Sequence, residues 1–268
     1  MDAIRVTVRR GGVVEAVHRV HVRSSAGGAY GEDVHCFLRS SLKPVQAVPL
    51  LEGYPDLPDD ELAIACASHR AEPAQLEAVR KLLARAGASV DDLENGVQEG
   101  RPEGKLGHNC SGKHAGMLAA CRAHGWPTHP YRDPGHPLQR RVAELVGDAE
   151  TAVDGCGVPT FAMPLSRMCR VFLQAPPRIR AAMAARPELV GGHGSDDTAL
   201  MRERPGWFAK GGAEGLLCVS DGDVAWVLKA EDGASRALRP ALGALFAVDA
   251  FREVLLRNSL GEVVGSIS

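Results

Sequence analysis

The chain has 268 residues, 45% apolar and 24% charged, with 31 basic side chains against 33 acidic ones for a formal net charge of −2. That balance argues against disorder, a fibrous chain or a nucleic-acid-binding surface, and the length suffices to bury a sizeable core. No apolar run approaches the roughly 18 residues of a membrane span and Met1-Asp2-Ala3-Ile4-Arg5 lacks an apolar leader core, so a cytoplasmic protein without membrane or nucleic-acid partners is expected.

Residues 4–9 and 13–22 are Val-rich, alternate in part and flank Gly11-Gly12, which predicts a β-hairpin. Residues 44–51 suggest a short buried helix with Pro44 in its first turn. Residues 72–87 predict an amphipathic helix, with Leu76, Val79, Leu82, Leu83 and Ala86 on one face and Gly87 as its stop. Further helices are expected at 112–124, 137–146, 163–173, 178–186 and 197–203. Residues 215–220 and 224–229 flank Asp221-Gly222, a hairpin signal, and 235–246 predicts a last helix. Strands at both ends thus enclose a helical middle without βα alternation. The expected class is α+β, a single domain over 1–268 with a mostly antiparallel sheet and a helical subdomain over roughly 53–205.

Only six of the 31 basic residues are lysine: Lys43, Lys81, Lys105, Lys113, Lys210 and Lys229. Arginine stays protonated at any working pH, whereas a desolvated lysine can act as base, nucleophile or ligand, so the retained lysines are candidates for chemistry. Ser40-Ser41-Leu42-Lys43 puts a hydroxyl and an amine three residues apart, on one helical face, as a nucleophile and its base require. Ser41, two residues from Lys43, points elsewhere. Ala209-Lys210-Gly211-Gly212 precedes a predicted strand and can place an ammonium and bare backbone N–H groups in a cleft; glycine replaces the threonine of a Lys-Thr-Gly motif, and Ser-Asp-Asn is absent. Small residues surround Ser68, a second hydroxyl able to relay a proton.

Residues 109–116 are the densest polar cluster. Residues 107–113 satisfy the spacing of a phosphate-binding loop, but His114 stands where Ser or Thr would hold Mg²⁺ and no convincing strand precedes, which argues against a nucleotide site. Cys110 and Lys113 lie one turn apart, and Asp154-Gly155-Cys156-Gly157 offers a second thiol and a carboxylate, so a zinc site is an open possibility. The seven cysteines are odd in number and dispersed, which favours thiols or ligands over disulfides.

Together, Ser40-x-x-Lys43-Pro44, Cys66-Ala67-Ser68-His69, residues 109–117, 133–139, 154–157, 187–192, Asp197-Thr198 and 209–215 resemble the asparaginase II family of the rhizobial type, in order from about Arg39 to Lys229. The resemblance does not extend to the N-terminal segment, where Glu15-Ala16-Val17-His18-Arg19-Val20 departs from the family's Glu-Ser-x-His-Arg-Gly. It implies hydrolysis of L-asparagine to aspartate and ammonia by a homodimer, on a fold similar to serine β-lactamases and glutaminases. It further implies Ser40 with Lys43 as one catalytic pair, Ser68 with Lys210 as a second, and Zn²⁺, structural or substrate-orienting, on Cys110, Lys113 and Cys156. Asp154 and His114 would lie beside the metal as substrate-binding residues, and backbone N–H groups of Ser40 and the Gly211-Gly212 stretch would hold the oxyanion. The alternative is a related serine amidohydrolase acting on glutamine or a peptide-like amide.

Overall fold

The computed structural model describes residues 1–268. The chain opens with the expected hairpin, β1 (Ile4–Arg10) and β2 (Val13–Ser24), and β3 (Ala29–Tyr30) pairs back onto β2. β4 (His35–Phe37) leads into a tight turn at Arg39–Leu42 and the short helices α1 (Lys43–Gln46) and α2 (Val48–Gly53). One helix was expected here; Pro49 in the first turn of α2 has no N–H for the preceding turn, and the helix divides. α3 (Asp59–Ala65), α4 (Pro73–Ala86), α5 (Ser111–His124) and α6 (Pro137–Val146) follow. In α4 the predicted apolar face is the buried one, Glu72 and Gln75 cap its start reciprocally, and Gly87 ends it at φ +57°.

Between two of the expected helices, inside the expected helical subdomain, lie two strands, β5 (Glu150–Val153) and β6 (Pro159–Pro164), which join β4 in a three-stranded sheet. Their alternation is masked by brevity, by prolines at both ends of β6 and by the exposure of Glu150, Thr151 and Val153. α7 (Leu165–Leu173), α8 (Pro177–Ala185), α9 (Pro187–Val190) and α10 (Asp196–Glu203) complete the middle. The chain returns as β7 (Phe208–Gly212), β8 (Leu216–Ser220) and β9 (Ala225–Ala230), then α11 (Leu238–Phe246), α12 (Asp249–Arg252), β10 (Val254–Arg257) and β11 (Val263–Ile267).

The main sheet runs β10-β11-β1-β2-β9-β8-β7, antiparallel throughout, so the strands of the two chain ends share one sheet and the fold is α+β. β10 and β11 carry little apolar alternation and are held by pairing across nearly the whole chain, Val8 opposite Ile267. α7 and α11 pack on the sheet, while α2 to α5 form the helical layer beyond β7. β7 is therefore an edge strand facing helices, and the cleft between the two holds the polar residues singled out above. No helix is long and apolar enough to cross a membrane.

Candidate active site

Four chain segments meet at this cleft: the turn after β4, the loop after α3, the start of α10, and β7. They enclose a cavity of about 350 Å³ whose walls include Ser40, Ser68, Asp197, Lys210, Gly211 and Gly212. Ser40 follows Arg39, whose φ of +48° is a backbone conformation that costs a non-glycine residue about 1 kcal/mol or more. Two contacts hold Arg39 there: its N–H donates to Thr160 Oγ1 at 3.1 Å and its Nε to Asp154 Oδ1 at 2.6 Å. Ser68 is fixed through its backbone, its own N–H donating to Val190 O and that of His69 to Asn109 O. Ser41 indeed points elsewhere, its Oγ donating to Lys210 O at 2.9 Å. Gly212 is closely packed: a Cβ there would lie 3.0 Å from Ser41 Oγ and 3.1 Å from Leu38 O, so a larger residue would push one of them aside by a few tenths of an ångström.

Lys43 is fully buried, and its Nζ donates to Ala67 O at 2.5 Å and to Ser68 Oγ at 3.0 Å. No carboxylate pairs with it. Burial, aided by the charges of Lys210 and Lys113 and opposed by the thiols Cys110 and Cys156, brings its pKa down to about 8. Lys210 is equally buried but is ion-paired, Nζ to Asp197 Oδ2 at 3.4 Å, and also donates to Gly211 O at 2.8 Å. The hydrogen bonds thus run differently from the expected pairs. Lys43 bonds to Ser68, with no bond to Ser40, and Lys210 bonds to Asp197, with no bond to Ser68. The Gly211 N–H offered to the oxyanion is engaged too, donating to Asp197 Oδ2 at 3.1 Å.

Cys110, Lys113 and Cys156 come together behind the cavity. Cys110 caps α5, and Gly112 lets that helix cross α3 closely, since a Cβ there would lie 2.2 Å from Ile64 O. Lys113 Nζ donates to Cys156 Sγ at 2.9 Å. A hydrogen bond from the Cys156 thiol, with Lys43 and Lys113 nearby, holds Cys110 well below the usual thiol range, while that bond and burial push Cys156 up. Burial acts to lower Lys113, but the two sulfurs outweigh it and its pKa is raised. Without a metal, these shifts favour a thiolate on Cys110 beside an ammonium on Lys113. Two soft sulfurs and an amine suit zinc once the amine loses its proton; nowhere do three His, Cys, Asp or Glu side chains meet in a metal-holding group.

Asp154 and His114 stand near this cluster but do not line the cavity. Asp154 is bound to Arg39, tying the Cys156 turn to the Ser40 turn. His114 is buried, which lowers its pKa well below the usual value; Nδ1 contacts Tyr131 OH at 2.8 Å and Nε2 has no partner. The divergent segment 15–20 lies on β2, where His18 contacts Asp232 and Arg236, and none of it lines the cavity.

Asp197, Arg70 and Asn109 line the cavity without having been assigned a role from the sequence. Asp197-Thr198 was in view only as part of a motif; its closeness to Lys210 needs the packing of α10 on β7. Across residues 6–266 the chain matches the family described as L-asparaginase II. No individual curated protein matches it.

Proposed function

The chain belongs to the L-asparaginase II family, and from that premise we propose that it hydrolyses L-asparagine to aspartate and ammonia through an acyl-enzyme on Ser40. The Ser40 oxygen attacks the side-chain amide carbon, and its proton passes through the Ser68 hydroxyl to the neutral amine of Lys43. The resulting oxyanion accepts N–H bonds from Ser40 and from Ala213, a cavity-wall residue in the turn that follows β7. As the C–N bond breaks, Lys43 returns its proton by the same route to the departing ammonia. Water then attacks the ester, giving its proton to Lys43, which returns it through Ser68 to the Ser40 oxygen as the ester C–O bond breaks, and aspartate leaves.

One observation carries this reading: Lys43 is a buried lysine without a carboxylate, at about 8, bonded to a hydroxyl that shares a cavity wall with Ser40. A base poised near the working pH gives the best compromise between holding and taking a proton. Ammonia release from asparagine, together with peptide mapping of acid-quenched enzyme, tests it. Ser40→Ala should abolish turnover and the covalent adduct should map to the peptide containing Ser40; an adduct on Ser68, or near wild-type turnover in Ser40→Ala, overturns it.

A peptide-like substrate is disfavoured by the edge of β7. An extended peptide would need the free N–H and C=O of that edge, and those of Gly211 are already bonded to Asp197 and Lys210. Glutamine differs from asparagine by one methylene and is distinguished by assaying both. We propose further that Cys110, Lys113 and Cys156 would hold zinc once Lys113 gives up its proton, and that the metal would brace the Cys110 turn or, as a Lewis acid, orient the substrate's α-amino and carboxylate groups. Elemental analysis of enzyme prepared without added metal should find it. A homodimer is likewise proposed, to be checked by mass in solution.

A further inference from the structure

Asp197 is the only carboxylate ion-paired with either lysine of the site, and the reaction above gives it no task. Its side chain is 5% exposed and fully engaged. Oδ2 meets Lys210 Nζ at 3.4 Å and accepts the Gly211 N–H at 3.1 Å, while Oδ1 accepts the Thr198 N–H at 2.9 Å. Thr198 is itself anchored, its hydroxyl donating to Pro187 O at 2.7 Å. Space is reserved for the carboxylate by Gly191, where a Cβ would lie 2.1 Å from Oδ1. The neighbouring Asp196 turns the other way, to Arg239 at 2.7 Å, so the two acidic residues are not interchangeable.

We propose that Asp197 is a positioning residue that holds Lys210 as a standing cation beside the reacting amide and locks the edge of β7, leaving Lys43 as the one lysine that exchanges a proton. This rests on the acyl-enzyme reading and deepens it. The titratable groups around Lys210 are Asp197 on α10, Lys43 on α1, Cys66 after α3 and Cys218 on β8. Both of those thiols are pushed up by burial and stay neutral, so Asp197 is the only negative charge among them. Burial would raise Asp197, but Lys210, the Ser195 hydroxyl and the Gly211 and Thr198 N–H groups bring it below the usual carboxylate range. The Lys210 charge in turn acts on Lys43 and favours its neutral form. One ion pair thus separates the work of two lysines.

Asp197→Asn keeps the shape and removes the charge. It is expected to lower kcat by about 100-fold with KM changed by less than about threefold. The wild-type profile should be flat above the Lys43 transition, whereas the variant should lose that plateau. Asp197→Glu, which restores the charge, should recover part of kcat and the plateau. A wild-type kcat and plateau in Asp197→Asn, or equal losses in all variants that track a lower melting temperature, overturns the proposal. A folding-independent measurement uses wild-type enzyme with ¹⁵N-labelled lysine, whose six Nζ signals are assignable by single Lys→Arg substitutions. Lys210 should keep an ammonium signal through the pH range in which Lys43 loses its own; simultaneous loss overturns the assignment. If instead no adduct forms on Ser40, the acyl-enzyme reading fails while the Lys210 signal still reports on the ion pair.

Discussion

Lys43 and Lys210 are equally buried and act on each other electrostatically, yet their surroundings differ in one respect. Lys43 donates only to a carbonyl and a hydroxyl, the thiols Cys110 and Cys156 repay part of the lost hydration without an ion pair, and its pKa falls to about 8. Around Lys210 a carboxylate balances the charge. Burial alone drives a lysine toward the neutral amine, and a paired carboxylate cancels that drive. The same residue type thereby serves as a proton acceptor in one wall and as a fixed charge in another. Lys113 is a third variant, paired with sulfur instead of oxygen.

The most severe way to break this contrast is to remove the amine from the first setting. Lys43→Met should lower asparagine turnover by roughly 10³-fold. Lys43→Arg should be no better, because a guanidinium does not give up its proton; an active Lys43→Arg enzyme would erase the distinction between the two lysines. Next in size, in enzyme stripped of metal by a chelator, Lys113→Met leaves the Cys110–Cys156 pair buried without its cation and should cost about 3 kcal/mol in urea unfolding. The pH dependence sharpens the same comparison. Lys43 must be neutral to act, so kcat/KM should climb as pH rises through about 8 and level off above it, falling about tenfold per unit on the acid side. A profile that declined over that range would reverse the assignment. Least affected should be Lys81→Met: Lys81 is half exposed beside Asp60 at 2.7 Å, and its loss should leave both the urea-unfolding midpoint and ammonia release essentially unchanged.

The two parts of the site were unequally legible. Lys43, Lys113 and Lys210 stood out because arginine does the ordinary work of positive charge in this chain, and all three prove buried where Lys81 and Lys105 are not. Lys229 shows the limit of that argument: it is buried too, but its Nζ reaches only Ala230 O. The Ser40-x-x-Lys43 spacing suggested a direct pair, yet the long Lys43 side chain turns toward Ala67 and Ser68. Of the fold, α4 and the β1–β2 and β8–β9 hairpins were readable from periodicity and turn residues, whereas β5, β6, β10 and β11 were not. All four are short; β5 and β10 are partly exposed and pair only with their hairpin neighbours β6 and β11, while β6 and β11 are tied to the rest of the chain by β4 and β1, remote in sequence.

The sequence by itself determined the class of fold, the segments that become helices and most strands, and the set of side chains with chemical reach. Local periodicity, capping residues and glycine turns act over a few positions, and so they survive in a linear reading. Only the tertiary structure decided which hydroxyl and which carboxylate each amine meets. Lys43 finds Ser68 across 25 residues and Lys210 finds Asp197 across 13, through helices packed against a sheet edge. A hydrogen bond of that kind depends on the placement of whole elements to within a few tenths of an ångström, and no pattern along the chain encodes it.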